Sequence, residues 1–354
     1  MAIPRSVHPL PGESEREARL ISLLDAFPTR RVAVIGDLIA DEFIYGRVAR
    51  VSREAPVLIL QYDSTQILPG GAGNAANNVA ALGGRAQIVG LTGKDEAGKR
   101  LHASLGHVNT RGLLSPHGYC TPVKTRILAG GVHTAKQQIV RIDRVVSSEC
   151  DAKTRAAFTR AALKATAECD AVLMSDYGTG LVTPELAAEI SSKIGSRAKR
   201  RDVPVLIDSR YDLLKYRGLT ACTPNESEVE QLLDTRIGDN VKSLEKAGRE
   251  LLKRMRMNAV LITRGSRGMA VFEPDAPTVH VPIYGSDEVA DVTGAGDTVI
   301  ATMTLTLAAG GSFYEAARLA NYAAGLVVMK RGTATVSPEE LRAAIRSDHD
   351  TNNA

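Results

Sequence analysis

Residues 291–297 read Asp-Val-Thr-Gly-Ala-Gly-Asp, and the stretch that follows, residues 298–309, has the apolar pattern of a helix. A turn of small residues that enters a helix leaves backbone N–H groups unpaired, and such groups bind anions such as phosphate. The candidates for this anion hole are Gly294, Ala295 and Gly296. Asp297 adjoins them and is the candidate general base for a hydroxyl that attacks a phosphate. The alternative is an ordinary helix start capped by Asp.

Upstream of this segment, short apolar runs alternate with amphipathic stretches. The runs typical of buried strands are residues 32–36, 87–91, 171–175, 205–208 and 260–263. The amphipathic stretches are residues 154–168, 184–197 and 241–255. This alternation predicts an α/β fold with a mostly parallel central sheet and helices on both faces. Helix starts are predicted at Thr183-Pro184, Ser312-x-x-Glu315 and Ser337-x-x-Glu340.

Two segments break the alternation. Residues 43–61 and 122–144 are rich in β-branched residues and lack a helical period. They predict a small antiparallel β-lid that lies outside the main sheet and covers the site. The domain organisation expected is an N-terminal extension at 1–28, one main domain at 29–346 with lid segments at about 41–68 and 120–145, and a disordered tail at 347–354.

The composition favours neither nucleic acid nor a membrane as partner. The 354 residues are 44% hydrophobic, which is enough for a large buried core. Lysine and arginine number 44 against 40 aspartate and glutamate, and a net charge of +4 is too balanced to indicate nucleic-acid binding. No apolar run could span a membrane and the first residues lack a secretion signal, so the cytoplasm is the expected location. The widely spaced Cys120, Cys150, Cys169 and Cys222 are expected to be buried free thiols.

A second glycine-rich segment, Pro69-Gly-Gly-Ala-Gly-Asn74, also precedes a helical stretch. Gly70 and Gly71 allow the backbone to approach a ligand closely, and Asn74 has both a donor and an acceptor for sugar hydroxyls. Asp37 ends the first predicted strand, at the edge where open α/β sheets bind ligands. The sequence contains no GxxxxGK segment followed by Ser or Thr, which excludes a P-loop. It also lacks GxGxxG after the first strand, which disfavours dinucleotide binding.

Together the two glycine-rich segments resemble the paired signatures of the ribokinase-like (PfkB) carbohydrate kinases. Shorter signatures of that family are matched by Thr92-Gly-Lys-Asp-x-x-Gly98, Thr223-Pro-Asn-x-x-Glu228 and Thr263-Arg-Gly-x-x-Gly268. The resemblance extends over residues 30–345 and implies the ribokinase-like fold, ATP as phosphate donor and Mg²⁺ as cofactor. Two alternatives remain, a nucleoside or vitamin kinase of the same fold and a non-catalytic binding member. An aromatic content of 4% without Trp disfavours the first of these.

The resemblance implies roles on the acceptor side. Asp297 would take the proton from the sugar C1 hydroxyl, and the N–H groups of residues 294–296 would stabilise the transferring phosphoryl group. Matches to sugar-contacting positions are Asp37, Gly70, Gly71 and Asn74. Residues expected in the same crevice, with strand-end capping as the alternative, are Ser175, Asp176 and Asp208.

The resemblance also implies roles on the nucleotide side. Matches to nucleotide-binding positions are Asn225, Thr263, Gly265, Gly268 and Asn321. Close helix packing is the alternative for the last of these. Asn225 and Glu228 would organise Mg²⁺ through water, with a helix start as the alternative. Asp291 and Thr293 match positions near a monovalent cation such as K⁺ in some relatives.

Within the family, the closest resemblance is to the D-glycero-β-D-manno-heptose 7-phosphate kinases, which form the kinase half of a bifunctional heptose enzyme. The most discriminating strings are Ser52-Arg-Glu-Ala-Pro-Val57 and Gly332-Thr-x-Thr-Val-Ser337. They imply ATP-dependent phosphorylation of the heptose phosphate at C1 to the 1,7-bisphosphate, for ADP-heptose and lipopolysaccharide core synthesis. Another sugar or sugar-phosphate kinase remains the alternative, because the turn at 129–135 departs from the heptose kinase pattern.

Seven basic residues of the lid segments are candidates for the substrate phosphate, and about two or three of them are expected to contact it. They are Arg47, Arg50, Arg53, Lys124, Arg126, Lys136 and Arg141. The outer faces of the lid strands would expose Ile44, Val57, Ile59 and Ile127. Because relatives pair their lids, the resemblance implies a homodimer through the lid.

Overall fold

The computed structural model of the chain describes residues 13–130, 136–144, 150–196, 203–285, 291–330 and 332–352. Within these ranges the backbone forms two β-sheets. The strands, in chain order, are β1 Arg31–Gly36, β2 Leu38–Val51, β3 Leu58–Gly71, β4 Arg85–Leu91, β5 Asn109–Leu114, β6 Val123–Gly130, β7 Gln137–Arg144, β8 Ala171–Asp176, β9 Val205–Ser209, β10 Ala221–Cys222, β11 Ala259–Thr263, β12 Met269–Phe272 and β13 Val279–Val281.

The larger sheet has the strand order β13-β12-β11-β10-β9-β8-β1-β4-β5. Neighbouring strands pair in parallel from β5 through β11, and only the pairs β11–β12 and β12–β13 are antiparallel. The prediction of a mostly parallel sheet is therefore confirmed. All five predicted strands are present, as β1, β4, β8, β9 and β11.

Helices cover both faces of this sheet. They are α1 Glu13–Ala26, α2 Ala72–Ala81, α3 Glu96–Ala103, α4 Ala152–Ala165, α5 Pro184–Gly195, α6 Glu226–Leu233, α7 Val241–Met255, α8 Ala295–Ala308, α9 Phe313–Val328 and α10 Pro338–Asn352. Along β1, Val32 and Val34 belong to one hydrophobic core, and Ala33 and Ile35 to another, because successive strand residues face opposite sides. Helices α1, α2, α8, α9 and α10 pack into the first core, and α4 to α7 pack into the second.

Side chains cap the helices where the sequence predicts. The hydroxyl of Thr183 accepts a hydrogen bond from the N–H of Leu186, ahead of the first-turn proline of α5. Ser312 and Glu315 form a capping box at the start of α9. Ser337 and Glu340 exchange the same pair of hydrogen bonds at the start of α10.

The other four strands form a small sheet in the order β3-β2-β6-β7. The pairs β2–β3 and β6–β7 are antiparallel, but β2 and β6 pair in parallel. The prediction of a β-lid outside the main sheet is confirmed, whereas the prediction of purely antiparallel pairing is wrong. The reason is that β2 and β6 both start from the main domain, where the N–H of Ala40 bonds to the carbonyl oxygen of Pro122.

Both terminal segments contain helices that pack with the main domain. Helix α1 buries Leu20, Leu23 and Leu24 in the first core, so the N-terminal extension packs with the main domain from α1 onward. The prediction of a disordered tail from residue 347 is wrong for its described part, because α10 continues to Asn352. The carboxylate of Asp348 accepts hydrogen bonds from Tyr322 and Arg318, which hold this end of α10 against α9.

In the described ranges, no helix combines the length and apolar character that crossing a membrane requires. The four cysteines are free thiols, as predicted. Cys169 and Cys222 are buried, but Cys120 is exposed and Cys150 partly so, which corrects the prediction that all four are buried.

Candidate active site

Polar residues line the carboxyl ends of neighbouring strands in the larger sheet. From β1 the chain first adds β4 and β5 on one side and then β8 to β11 on the other. Open α/β sheets bind ligands at such a switch point, which here lies between β1 and β8. From there outward, the strand ends carry Asp37, Asp176, Asp208, Asn225 and Thr263. The structure thus brings the predicted sugar-side and nucleotide-side residues to one edge.

Asp297 lies in the first turn of α8 and is 5% exposed. The turn before it requires Gly294, whose φ of +82° is in the left-handed region that favours glycine. A Cβ on Gly294 would also lie 2.5 Å from Nδ2 of Asn74. This close approach lets Asn74 Nδ2 donate a hydrogen bond to Asp297 Oδ2 over 2.8 Å. The two glycine-rich segments of the sequence therefore meet at the carboxylate of Asp297.

The environment of Asp297 suits a general base. Burial raises its pKa from 3.8 to about 6, although hydrogen bonds from Asn74 and Tyr177 and the charge of Arg210 lower it. A carboxylate with such a pKa is mostly ionised at neutral pH, yet it binds a proton more readily than an exposed one does.

Helices α2 and α8 both start at a glycine with no side-chain cap. At the start of α8, the N–H of Ala295 donates to the carbonyl oxygen of Val292 over 3.2 Å. The N–H groups of Gly294 and Gly296 find no acceptor in the described part of the chain. Of the three predicted anion-hole donors, the two glycines are therefore unengaged and Ala295 is held in a turn.

Asp291 connects the glycine-rich turn to the segment after α9 through hydrogen bonds. Its carboxylate accepts hydrogen bonds from the N–H groups of Thr293, over 2.9 Å, and Gly332, over 3.1 Å. Thr333 follows, and its buried Oγ1 has no partner among the described residues. The Cγ2 atom of Thr333 lies 3.3 Å from the position of a Cβ on Gly294. The oxygens of Asp291 and Thr333 are suitable ligands for a monovalent cation beside the turn.

Asp37 joins β1 to the loop after β8. It is 2% exposed, and its carboxylate accepts hydrogen bonds from the N–H of Tyr177 over 2.7 Å and from the hydroxyl of Thr179. Burial raises the pKa of Asp37 to about 6 despite these hydrogen bonds. Asp37 therefore positions the loop that carries Tyr177.

The glycine pair that precedes α2 lies against Asp37 and Asp41. Gly71 has a φ of +56°, and a Cβ on it would lie 2.5 Å from the carbonyl oxygen of Asp37. A Cβ on Gly70 would lie 2.3 Å from Oδ2 of Asp41. The positive φ and the backbone contact require glycine at position 71, whereas the contact at Gly70 is with a side chain.

Asp176 holds neighbouring segments together. Its carboxylate accepts hydrogen bonds from the hydroxyls of Ser209, over 2.7 Å, and Tyr216, over 2.8 Å, and from the N–H of Gly178, over 3.0 Å. Both carboxylate oxygens are engaged, so the strand-end alternative accounts for Asp176. The preceding Ser175 is buried, and its Oγ has no partner among the described residues. Ser175 therefore keeps a free hydroxyl at this edge.

Asp208 lies close to two other acidic groups. Burial, followed by the charges of Asp297 and Glu228, raises its pKa to about 7. Arg210 offsets part of this negative charge, and its Nη1 donates to Glu228 Oε1 over 3.2 Å. The ends of β8 and β9 and the start of α8 therefore form one electrostatically coupled crevice.

Tyr177 connects the small sheet with this crevice. Its hydroxyl oxygen lies 3.3 Å from Oδ1 of Asp297. Nζ of Lys124, in β6, lies 4.7 Å from the centre of the tyrosine ring, and Cζ of Arg210 lies 5.3 Å from it. Both are cation–π distances. Sequence reasoning misses Tyr177 and Arg210, and the string Ser175-Asp-Tyr-Gly178 is the signal that contains the tyrosine.

The seven basic candidates of the lid differ in their partners. Four are paired with carboxylates, namely Arg47 and Lys136 with Asp63, Arg126 with Asp41, and Arg141 with Asp143. Lys124 forms no ion pair within the described residues and lies over Tyr177 instead. Burial lowers the pKa of the Lys124 ammonium, the charge of Asp41 opposes this, and the charges of Arg141 and Arg210 lower the pKa further. Burial therefore disfavours the charged form of Lys124, and an anion bound beside the ammonium would stabilise that form.

Asn225 and Glu228 form a capping box at the start of α6. The side chain of Asn225 accepts from the N–H of Glu228 over 2.9 Å, and the carboxylate of Glu228 accepts from the N–H of Asn225 over 2.8 Å. The helix-start alternative therefore accounts for their mutual contacts. Thr263 joins them through a single β-bridge to Asn225.

The remaining nucleotide-side residues differ in access. Gly265 has a φ of +56° and open space where a side chain would be, so a ligand could approach it. Gly268 is required by packing, because a Cβ there would lie 2.1 Å from the carbonyl oxygen of Val281. Asn321 is buried and donates to the carbonyl oxygen of Pro282 over 2.8 Å. The helix-packing alternative therefore accounts for Asn321.

In the described ranges, no three His, Cys, Asp or Glu side chains cluster as a ready-made metal site. Burial, and then the charges of Asp297 and Glu228, raise the pKa of Asp208, so the carboxylates of Asp208 and Glu228 act on each other electrostatically. Such a pair fits Mg²⁺ bound through water, since this ion keeps much of its hydration shell. Within the turn at 129–135, residues 131–135 lie outside the described residues.

The family model for pfkB carbohydrate kinases matches residues 29–340. The bifunctional protein HldE of Desulfatibacillum aliphaticivorans is 41% identical over 323 residues, which are 90% of this chain and 64% of that protein. The bifunctional protein HldE of Geobacter sulfurreducens is 40% identical over 324 residues, or 91% of this chain and 64% of that protein. The chain thus spans less than two thirds of the length of these relatives.

Solved structures share the fold. Arabidopsis thaliana ribokinase complexed with ribose and ATP aligns with a TM-score of 0.70 at 20% identity, over 90% of this chain and 99% of that chain. Escherichia coli phosphofructokinase-2 in complex with potassium aligns with a TM-score of 0.69 at 17% identity, over the same shares. The predicted ribokinase-like fold is confirmed.

Proposed function

Because this chain belongs to the pfkB family of carbohydrate kinases, we propose that it transfers the γ-phosphate of ATP to the C1 hydroxyl of D-glycero-β-D-manno-heptose 7-phosphate. The family transfers phosphate to a hydroxyl group, and the specific acceptor is the proposal. Its support from the sequence is the match to the HldE relatives over 90% of the chain, together with the strings at 52–57 and 332–337.

The structural observation that carries the proposal is the arrangement of charges around Tyr177. A buried base, Asp297, contacts the tyrosine hydroxyl, and an ammonium without a carboxylate partner in the described ranges, Lys124, lies over the tyrosine ring. A substrate with a hydroxyl at one end and a phosphate at the other would satisfy both groups at once. A sugar phosphate has this form.

Lys124 and Arg210 are the cations that we assign to the phosphate of the substrate. Both lie within cation–π distance of Tyr177. The guanidinium of Arg210 could bind phosphate with two parallel hydrogen bonds, whereas Lys124 would act as a compact point charge. This assignment uses one of the seven lid candidates and one residue outside the lid.

The chemistry follows from the contacts of Asp297. As the C1 oxygen forms its bond to the γ-phosphorus, Asp297 takes the hydroxyl proton, and the bond to the bridging oxygen breaks to release ADP. The N–H groups of Gly294 and Gly296 would stabilise the charge on the transferring group. Asp208 and Glu228 would hold Mg²⁺ through water, and this ion supplies charge neutralisation on the ATP phosphates.

On the nucleotide side, we propose that ATP lies along the ends of β10 and β11, with Thr263 and Gly265 nearest to it. Gly265 has open space in front of it and Thr263 is only partly buried. The proposed product, a sugar 1,7-bisphosphate, would serve ADP-heptose and lipopolysaccharide core synthesis in the cytoplasm. We further propose that the monovalent-cation site, which K⁺ would occupy, lies beside Asp291.

We also propose a homodimer through the outer face of the small sheet. In the strand register, Ile44 lies beside Ile127, and Ile127 lies beside Val140. These residues face away from Lys124, because alternate strand residues point to opposite sides. Val140 and Ile142 are 44% and 49% exposed in the single chain. Burial of this apolar face against a second copy would remove it from water.

The test is ATP consumption with product identification over a panel of acceptors. The panel contains the heptose 7-phosphate, the unphosphorylated heptose, fructose 6-phosphate, ribose and adenosine. We expect rapid turnover of the heptose phosphate and a new phosphorus NMR signal from a C1 phosphate. Turnover of another sugar alone would keep the kinase chemistry and replace the acceptor. Turnover of adenosine alone, or of no compound, would overturn the sugar-phosphate proposal.

A further inference from the structure

A chain of buried hydrogen bonds leads from the interior of α8 to the carboxylate of Asp297. Thr298 Oγ1 donates to Asn78 Oδ1 over 2.9 Å, and Asn78 Nδ2 donates to Asn74 Oδ1 over 3.1 Å. Asn74 Nδ2 in turn donates to Asp297 Oδ2 over 2.8 Å. All four side chains are buried. Hydrogen bonds in such surroundings are stronger than in water, and leaving one unmade is costly.

A backbone carbonyl fixes the direction of these bonds. Asn78 Nδ2 lies 3.0 Å from the carbonyl oxygen of Asn74, which can only accept. The amide nitrogen of Asn78 must therefore face this carbonyl, and its Oδ1 must face the hydroxyl of Thr298. The second hydrogen of Asn78 Nδ2 goes to Asn74 Oδ1, so the nitrogen of Asn74 must face Asp297.

The amide group of the Asn74 side chain therefore forms its hydrogen bonds within the protein. Besides Asp297 Oδ2, its nitrogen has the carbonyl oxygen of Gly294 as an acceptor at 3.5 Å. Both hydrogens of the amide thus point at protein oxygens, and its own oxygen accepts from Asn78. Asn74 is therefore better placed to orient the base than to donate to a sugar hydroxyl.

We propose that Asn74, Asn78 and Thr298 form a positioning relay, here called the amide relay, that holds Oδ2 of Asp297 in one orientation. Oδ1, the oxygen beside Tyr177, is then the one that takes the proton from the acceptor hydroxyl. This inference rests on the proposed role of Asp297 as general base. Asn78 and Thr298 are positioning residues, since they act on the base through Asn74.

The relay also affects when Asp297 is ionised. The hydrogen bond from Asn74 lowers the pKa of Asp297 against the burial that raises it. The other charged or titratable groups that act on Asp297 are Arg210, Asp41, Asp208 and Tyr177. Replacing the hydroxyl of Thr298 changes none of these groups. It removes the hydrogen bond to Asn78 Oδ1 and a longer contact, over 3.3 Å, with the carbonyl oxygen of Gly294.

The test is the pH dependence of kcat/KM in the Thr298→Val variant of the full chain. Valine keeps the shape of threonine but lacks the hydroxyl that donates to Asn78 Oδ1. The acid limb is the part of the profile in which kcat/KM falls as the pH decreases. We expect the acid limb to move to higher pH by about half a unit to one unit, because Asp297 loses stabilisation of its charged form. Thr298→Ser, which keeps the hydroxyl, should retain the limb of the unmodified protein.

Thr304→Val is the matched control. Thr304 is buried in the same helix and donates to the carbonyl oxygen of Ile300 over 2.7 Å, outside the relay. This variant should lose stability while keeping the acid limb. All variants are compared on one substrate, so ionisation of the substrate itself cancels.

An acid limb of Thr298→Val that superimposes on that of Thr304→Val would overturn the relay, whatever the change in melting temperature. Asn78→Leu is a second variant that removes the same link, and it decides the question if Thr298→Val does not fold. Failure of the premise is distinguishable, because Asp297→Asn would then retain the activity of the unmodified protein.

Discussion

The hydroxyl oxygen of Tyr177 lies 3.3 Å from Oδ1 of Asp297, and the ring of the same tyrosine lies under Lys124 of the small sheet. Burial raises the pKa of Tyr177 well above 10, so its hydroxyl stays protonated and donates to the carboxylate. The Asp297 carboxylate in the main domain and the Lys124 ammonium in the small sheet thus contact the same aromatic residue. A displacement of the small sheet would change the surroundings of the base.

Tyr177→Phe should separate the two roles of the tyrosine. The ring remains for Lys124 and Arg210, but the hydrogen bond to Asp297 is lost. Because a hydrogen bond to a charged group contributes about 1.5–3 kcal/mol, we expect kcat to fall by roughly 10- to 100-fold with little change in the KM for the sugar phosphate. Steady-state kinetics at saturating ATP measure both. An unchanged kcat would show that the hydroxyl does not assist Asp297.

Lys124→Met should weaken binding of the phosphorylated substrate selectively. Loss of one charge-assisted contact is expected to raise the KM for the heptose 7-phosphate about 10- to 100-fold, with a much smaller effect on the unphosphorylated heptose. Lys136→Met is the matched control. Lys136 directly precedes β7 of the small sheet, and its ammonium is already paired with the carboxylate of Asp63. Equal effects of Lys124→Met on both sugars would contradict the assignment.

Three carboxylates whose pKa values are raised in the folded state should make the free protein less stable as the pH rises. Their pKa values, about 6 for Asp37 and Asp297 and about 7 for Asp208, exceed the ordinary value of 3.8. From about pH 4 to pH 7 the folded state therefore holds more protons than the unfolded state, and the free energy of unfolding falls with rising pH.

Asp208→Asn tests this directly. The substitution should raise the melting temperature at pH 8 by about 2 °C or more, and by less at pH 4.5, where the folded protein already carries a neutral Asp208. Thermal denaturation at both values measures the difference. Equal shifts at the two pH values would show that ionisation of Asp208 is not the cause.

Val140→Lys should disrupt the proposed dimer. Val140 is exposed on the outer face of the small sheet, and a buried lysine there would lack a partner. Light scattering at micromolar concentration should give twice 37.7 kDa for the unmodified chain and about 37.7 kDa for the variant. A single-chain mass for the unmodified protein would rule out the dimer at that concentration.

The sequence predicts the long strands of the larger sheet well, because β1, β8 and β11 are buried along most of their length and read as apolar runs. It misses β10, β12 and β13, which have only two to four residues, and β5, whose Asn-Thr-Arg-Gly sequence is polar because it lies at the sheet edge. Short or half-exposed strands are defined by their neighbours rather than by their own pattern.

The residues of the candidate site likewise include some that the sequence predicts and some that it misses. Asp297 and Asn74 were predictable, because each lies in a glycine-rich turn that enters a helix. Tyr177 and Arg210 were not, since they lie in loops after β8 and β9 and acquire partners only once those strands are adjacent. The polar sequence after residue 346 predicts disorder, but contacts of Asp348 with α9 extend the helix.

In the proposed function, Asp297 has the central role of accepting the proton of the acceptor hydroxyl. Its most direct test is the single-turnover rate of Asp297→Asn with saturating ATP and heptose 7-phosphate, beside the unmodified protein. We predict a rate lower by about 10²- to 10⁴-fold, with the melting temperature and substrate affinity largely retained. A rate within about threefold of the unmodified protein would contradict this role for Asp297.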